Sequence, residues 1–244
     1  MSKHQWFESW FDTDYYHLLY EHRDGKEASE FIRRLVAYLD PEDSSVFCDL
    51  ACGNGRHAEV IARMGYEVEG LDLSENNIDM ARKIPLPNLT FKVQDMREPF
   101  GHEEFDYVLN LFTSFGYFES DEDHRQTIKN MAMSLKNDGR AIVDYLNVHF
   151  VENSLRQESV ERHGDVDFHI RRLMSDRDIV KEIKVIDNND VRYFEERVRR
   201  FDLDDFKEMI TGSGMQLEQV FGDYYLNGFE EQTSPRLIMI AHKP

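Results

Sequence analysis

Residues 46–55 constrain the fold of this chain more than any other segment. Their sequence, Val-Phe-Cys-Asp-Leu-Ala-Cys-Gly-Asn-Gly, is typical of a buried strand that ends near Asp49, then a glycine turn, then a helix from Arg56. Gly53 and Gly55 allow a sharp turn and let a ligand approach the backbone with no Cβ in the way. The helix N-terminus behind the turn favours an anionic group. The segment therefore predicts a ligand site at the carboxyl end of a parallel sheet.

Two further acidic residues follow predicted strands in the same way. Asp72 lies near the end of a strand over residues 67–73, and Asp95 ends another over residues 89–95. Equal intervals separate Asp49, Asp72 and Asp95, each long enough for one helix and one strand. One acid at a strand end is usually a solvated turn residue, but three beside a glycine turn predict a shared ligand site. A carboxylate after the second strand suits the two hydroxyls of a ribose.

The glycine turn also satisfies the dinucleotide pattern G-x-G-x-x-A over residues 53–58, which occurs often by chance. In that pattern the first glycine follows the strand almost directly, whereas three residues separate Asp49 from Gly53 here. An acid at this place disfavours a pyrophosphate and suits a ligand that carries an amine. Asp49, Gly53 and Gly55 strongly resemble motif I, D-x-x-x-G-x-G, of the class I S-adenosylmethionine (SAM)-dependent methyltransferases.

The resemblance covers the chain from about Tyr16 to Lys243, and residues 113–118 are similar to those of small-molecule enzymes such as glycine and amino-sugar N-methyltransferases. It implies SAM as cofactor and S-adenosylhomocysteine as product, with Asp72 on the ribose, Asp95 at the adenine amino group and Met96 on the adenine ring. The cofactor-binding residues that it implies are Tyr16, Tyr20, Arg23, Asp49, Ala51, Gly53, Asn54, Gly55, Asp72, Leu73, Asn77, Asp95, Met96, Asn110 and Leu111.

Composition narrows the classes of partner. The formal net charge of −19 disfavours nucleic acid, and residues 110–113 lack the paired prolines of DNA amino-methyltransferases. No apolar run has bilayer length and the N-terminus does not resemble a signal peptide, so we expect a cytoplasmic protein that does not enter membranes. Two cysteines, Cys48 and Cys52, make neither a disulfide framework nor a metal site. The sequence does not distinguish a monomer from a homodimer.

Alternation of predicted strands and helices indicates an α/β fold with a parallel sheet covered on both faces. After the fifth strand, alternating residues and the turn signal at residues 188–190 predict an antiparallel insertion. The resemblance implies a Rossmann-like, mostly parallel sheet of seven strands. We expect one methyltransferase domain, with an N-terminal helical lid over residues 1–40, a SAM-binding core over 41–148, the insertion over 149–200, and a final helix and strand pair over 201–244.

Candidates for acid–base work follow the fourth and fifth strands. Methyl transfer depends largely on positioning, and a base helps when the attacking atom carries a proton. Tyr117, Tyr145 and His149 are the predicted catalytic residues, although a histidine such as His149 is more often an ordinary loop residue.

The N-terminus is rich in aromatic residues, among them Trp6, Phe7, Trp10, Tyr16 and Tyr20. Aromatic faces suit a sulfonium cation, which favours a lid over the site. The alternative is that these residues only attach a terminal helix to the domain.

Three functional classes stay open at this point. Methyl transfer from SAM to a nitrogen or oxygen of a small-molecule acceptor is the leading hypothesis. A nucleotide-dependent oxidoreductase of the Rossmann type would bind nicotinamide cofactors instead. A non-catalytic SAM-binding protein would bind SAM without turning over any acceptor.

Overall fold

A computed structural model describes residues 6–20, 25–188 and 190–244. The helices are α1 (Trp6–Trp10), α2 (Asp14–Leu19), α3 (Gly25–Leu39), α4 (Arg56–Arg63), α5 (Glu75–Ala81), α6 (Asp121–Ser134), α7 (Val148–Ser154) and α8 (Leu203–Gly212). The strands are β1 (Val46–Leu50), β2 (Glu67–Asp72), β3 (Leu89–Val93), β4 (Phe105–Asn110), β5 (Leu135–Leu146), β6 (Glu158–His163), β7 (Val166–Met174), β8 (Asp178–Asp187), β9 (Asp190–Arg199), β10 (Gln216–Phe221) and β11 (Arg236–His242).

A seven-stranded sheet in the order β10-β11-β5-β4-β1-β2-β3 forms the centre of the fold. Strands β1 to β5 pair in parallel, whereas β11 runs antiparallel to both β5 and β10. Residues of α3, α4 and α5 bury one face of the sheet, and residues of α6 and α8 bury the other. This arrangement confirms the predicted mostly parallel, Rossmann-like sheet and brings the carboxyl ends of β1, β2 and β4 to one edge.

Side chains at the helix starts explain why the chain changes from strand to helix there. The Ser74 hydroxyl accepts the backbone N–H of Asn77 and caps α5, and Ser120 caps α6 by accepting the N–H of Glu122. Asp202 begins α8 through a capping box with Asp205. These caps satisfy helix N–H groups that have no partner within the helix.

The insertion after the fifth strand forms a second, antiparallel sheet in the order β6-β7-β8-β9. Its hairpin closes where Asp187 pairs with Asp190, as the turn signal predicted. The strand β6 was not predicted, because its residues are mostly polar and it forms an edge of the sheet. The strand β5 follows α6 directly, and its first residues include the Asn-Asp-Gly sequence at positions 137–139.

The N-terminal aromatic segment, residues 6–20, packs against the insertion. Trp10 and Leu19 share a buried cluster with Phe168 and Ile183. Trp10 is 1% exposed, and its ring lies 4.5 Å from that of Phe194 on β9. The insertion therefore supports the segment that covers the edge of the central sheet. Among the described residues, no helix has the length and hydropathy needed to cross a membrane.

Candidate functional site

A cavity of about 820 Å³ lies at the carboxyl ends of the parallel strands, beneath the N-terminal aromatic segment. The predicted site residues that line it are Tyr16, Tyr20, Ala51, Gly53, Asn54, Asp72, Leu73, Asn77, Asp95, Met96, Leu111 and Tyr117. They come from five separate parts of the sequence, and the topology brings them together at one place. The cavity size is in the range of small-molecule sites.

Asp49 supports the glycine turn from below and does not line the cavity. Its side chain is 1% exposed, and its Oδ2 accepts the backbone N–H of Ala58 in α4 at 3.1 Å. Gly55 stands beside it with φ +83°, and a Cβ there would come within 2.5 Å of the Phe91 ring. Asp49 and Gly55 therefore shape the turn in the structure, and their predicted contact with a ligand stays a prediction.

Burial raises the pKa of Asp49 to about 7, and the nearby Asp72 adds to this effect. Because the pKa of Asp49 is higher in the folded than in the unfolded chain, the folded state binds more protons between pH 4 and pH 7. The stability that this group contributes is therefore present near pH 4 and lost as the pH rises through 7.

The variant Asp49→Asn should gain stability relative to the wild type as the pH rises from 4 to 7. Asparagine keeps an acceptor oxygen for Ala58 but has no charge to desolvate, so the difference in unfolding free energy should change by about 1.4 kcal/mol per pH unit. Urea unfolding of both proteins at several pH values measures this difference. A difference that stays constant over the range would contradict the raised pKa.

Asp72 lines the cavity beside the glycine turn. Its Oδ2 accepts the N–H of Gly53 at 2.8 Å and its Oδ1 accepts the N–H of Ser74 at 2.9 Å. Burial raises its pKa, and these backbone hydrogen bonds oppose the shift. Asn77 is adjacent in α5, and its buried Oδ1 has no hydrogen-bond partner. The Asp72 carboxylate and the Asn77 amide oxygen can both accept hydrogen bonds from a ligand, which suits the hydroxyl and amine groups of SAM.

Asp95 has a partner that the sequence did not predict. Its carboxylate binds the Arg97 guanidinium at 2.5 Å and also accepts the N–H of Arg97. Burial raises the pKa of Asp95, but the hydrogen bonds from Arg97 outweigh burial and bring the pKa below its usual value. Asp95 and Met96 both line the cavity, so Arg97 fixes the carboxylate beside the predicted adenine position.

Two predicted catalytic residues lie away from the cavity. Tyr145 is completely buried and its hydroxyl donates to the carbonyl of Arg199 at 2.5 Å. His149 in α7 pairs with Glu231 at 3.2 Å, outside the cavity wall. Tyr145 lies on β5 and points into the core, whereas His149 faces Glu152 of its own helix and Glu231 of a loop. The structure gives both side chains structural contacts and does not bring them to the cavity, so their catalytic roles stay predictions without a place in the site.

Of the remaining predicted site residues, one lies beneath the cavity, one lines it and one lies outside the described residues. Asn110 is buried and donates to the carbonyl of Leu50 at 3.0 Å, so it joins β4 to β1 beneath the cavity and does not line it. Arg23, predicted to reach the cofactor, lies outside the described residues. Tyr117 lines the cavity, and its hydroxyl donates to the carbonyl of Thr113.

Ring contacts close the cavity from above. Trp6 lies 5.5 Å from the Tyr117 ring, and Phe11 lies 5.2 Å from it. Asp12 joins this segment to the start of α5, because its carboxylate accepts the Ser74 hydroxyl at 2.8 Å and the Asn76 amide at 2.7 Å. The segment therefore contacts two walls of the cavity as well as the insertion.

Several cavity residues were missed by the sequence analysis, notably His57 and Asp12. His57 stacks on Phe112 with ring centroids 4.7 Å apart, and its buried Nε2 has no hydrogen-bond partner. Burial and the charge of Arg56 lower the pKa of His57 to about 3, so the ring is neutral. Only its place in the second position of the helix after the glycine turn could have indicated that His57 faces the ligand.

Comparison with known proteins agrees with this geometry. A family model described as a methyltransferase domain matches residues 47–139, which include the glycine turn, Asp72 and Asp95. The dTDP-3-amino-3,4,6-trideoxy-alpha-D-glucopyranose N,N-dimethyltransferase of Streptomyces venezuelae is 28% identical over 220 residues, covering 86% of this chain and 92% of that protein.

Solved structures share the whole architecture. A SAM-dependent methyltransferase from Clostridium acetobutylicum superposes with a TM-score of 0.78 at 19% identity, over 93% of this chain and 95% of that one. DesVI of Streptomyces venezuelae superposes with a TM-score of 0.69 at 25% identity, over 94% and 98% of the two chains. With the glycine turn and the acid after the second strand, the match identifies residues 47–139 as a methyltransferase domain, and the chain is similar to class I SAM-dependent methyltransferases over most of its length.

Proposed function

We propose that this enzyme methylates an amine nitrogen of a small molecule that binds between the N-terminal aromatic segment and the turn after β4. The observation that carries the proposal is the continuity of one cavity, which runs from Asp72 and Asn77 to the aromatic wall of Phe11, Tyr117 and Phe118. Such a cavity has room for two ligands side by side, and positioning is what this reaction most needs.

The residues have distinct proposed roles. SAM, when bound, supplies a methyl group on a sulfonium that is already a good leaving group. We assign the ribose to Asp72 and the adenine to the wall formed by Asp95 and Met96. Tyr16 and Phe11 present aromatic faces, which attract a cation and exclude water. The Tyr117 hydroxyl proton points to the Thr113 carbonyl, so its oxygen is oriented to accept a hydrogen bond from a substrate amine.

The choice of nitrogen and of a small molecule rests on the similarity to sugar N,N-dimethyltransferases such as that of Streptomyces venezuelae. The formal net charge of −19 supports a small acceptor over a nucleic acid. Amino sugars, free or nucleotide-linked, are the first acceptor class to test. A cytoplasmic location is proposed as well, since Cys48 and Cys52 are buried free thiols, as is usual in reducing compartments.

Calorimetry tests the cofactor and the function in sequence. SAM and S-adenosylhomocysteine should bind with micromolar dissociation constants, roughly −8 kcal/mol, whereas NAD should not bind. An acceptor screen that includes amino sugars, simple amines and alcohols should then show S-adenosylhomocysteine production with amines. Binding of NAD without SAM would indicate an oxidoreductase, and SAM binding without turnover across the screen would indicate a non-catalytic SAM-binding protein.

A further inference from the structure

The turn after β4 contains two consecutive residues in an unusual backbone conformation. Phe112 has φ +56° and Thr113 has φ +63°, and neither is glycine. Side chains with a Cβ rarely adopt this left-handed region unless surrounding contacts hold them there, above all a β-branched residue such as Thr113. The contacts that hold this turn therefore determine how it presents its side chains to the cavity.

Asp144 supplies most of those contacts. It lies on β5, is completely buried, and accepts the N–H of Phe112 through Oδ2 at 2.8 Å. Its backbone carbonyl accepts the N–H of Thr113 at 3.0 Å. The Tyr224 hydroxyl also donates to Oδ2, at 3.2 Å. Asp144 thus fixes both backbone N–H groups of the left-handed pair.

Arg236 completes the arrangement from the neighbouring strand. Asp144 on β5 pairs with Ile238 on β11, and Arg236 lies two residues before Ile238. Residues two apart on a strand share a face, so the Arg236 side chain lies on the same face of the sheet as Asp144. Its guanidinium binds Asp144 Oδ1 at 2.6 Å and donates to the Thr113 hydroxyl at 2.9 Å. A buried carboxylate is thereby neutralised, and the side chain of the second strained residue is held as well.

The held turn determines two walls of the cavity. The Phe112 ring stacks between His57 at 4.7 Å and Tyr224 at 4.9 Å. The Thr113 carbonyl accepts the Tyr117 hydroxyl, which orients the residue that faces the N-terminal aromatic segment. Asp144 and Arg236 themselves do not line the cavity.

We propose that Asp144 and Arg236 are a positioning pair, which holds the Phe112–Thr113 turn in the conformation that places Phe112 and Tyr117 for methyl transfer. The pair acts through the turn and does not contact the reacting atoms. The effect on turnover rests on the proposed function, whereas the effect on the turn itself does not.

The test compares Thr113→Val with Thr113→Ser. Valine keeps the shape of threonine but loses the hydroxyl that Arg236 binds, and serine keeps it. With valine we expect kcat to fall at least about tenfold, SAM affinity to change less than about threefold and the melting temperature to stay close to that of the wild type. Serine should retain most of the activity. Arg236→Lys keeps the charge but loses the planar guanidinium that binds two partners at once, so its kcat and SAM affinity should resemble those of Thr113→Val.

Hydrogen exchange of the peptide covering residues 111–117 provides a readout that needs no acceptor. Exchange there should be faster in Thr113→Val and Arg236→Lys, and unchanged in Arg140→Gln. Arg140 on β5 also forms an ion pair with a carboxylate of another strand, Glu218 on β10, but it lies far from the turn. It is therefore a matched control for the loss of an arginine ion pair. Wild-type exchange and wild-type kcat in Thr113→Val and Arg236→Lys would overturn the positioning pair. If hydrogen exchange is faster in these variants but the wild-type protein methylates no acceptor, the role of the pair in holding the turn stands and the proposed function is wrong.

Discussion

Replacement of Asp72 by alanine should weaken SAM binding at least tenfold, and about 100-fold if two ribose hydrogen bonds of about 1.5 kcal/mol each are lost. An ionised carboxylate has about four acceptor sites, and the N–H groups of Gly53 and Ser74 use two of them. Acceptor capacity therefore remains for a ligand hydroxyl on the side that faces the cavity. Titration calorimetry with SAM measures the loss directly.

Two further variants separate binding from folding. Asp72→Asn keeps the size and one carbonyl oxygen, so its SAM affinity should lie between those of the wild type and the alanine variant. Asp79→Ala removes an exposed carboxylate from α5, the helix that follows Asp72, where it pairs with Arg82 at 3.3 Å, and should leave SAM affinity unchanged. Wild-type affinity in a folded Asp72→Ala protein would show that the ribose is held elsewhere.

Deletion of residues 1–22 should abolish detectable turnover, a loss of at least about 100-fold, and weaken SAM binding about tenfold. The deletion removes aromatic faces that attract a cation by about 0.5–2 kcal/mol and opens the cavity to water. In the intact protein, SAM should also protect this segment from protease. Steady-state kinetics, calorimetry and limited proteolysis check the three expectations.

A point variant controls for the apolar surface that the deletion exposes on the insertion. Phe11→Ala removes one cavity-lining ring that also packs against the buried cluster but leaves Trp10 and Leu19 in place, so it should lower turnover with a smaller loss of stability than the deletion. The segment is merely structural if the shortened chain binds SAM as tightly as the full one and protease cleaves the segment equally with and without ligand. Tyr16 and Tyr20 would then leave the set of site residues.

The sequence was most informative where function depends on local backbone geometry. Asp72 and Gly53 lie within a few residues of recognisable strand ends, so their place at the cavity followed from strand order alone. The parallel sheet was predictable from the alternation of apolar strands and capped helices over most of the chain, whereas its seven strands were implied by the resemblance to methyltransferases.

Side-chain direction and long-range pairing could not be predicted in this way. Asp144 and Tyr145 are consecutive on β5 and point to opposite faces, so one supports the turn after β4 and the other fills the core. The pairing of Asp95 with Arg97 depends on a rotamer that no pattern encodes. Glu196, which accepts hydrogen bonds from Trp10 and Tyr20, is too distant in sequence to be connected with them before the fold is known.

That last contact has a consequence for how the protein is made. Trp10 leaves the ribosome long before its hydrogen-bond partner Glu196, which is 186 residues further along the chain. At about 5–20 residues per second, the aromatic N-terminus is exposed for roughly 10–40 s before its docking surface is synthesised. A nascent chain in this interval presents the kind of apolar segment that chaperones bind. Completion of the insertion hairpin is therefore the step that ends the exposure.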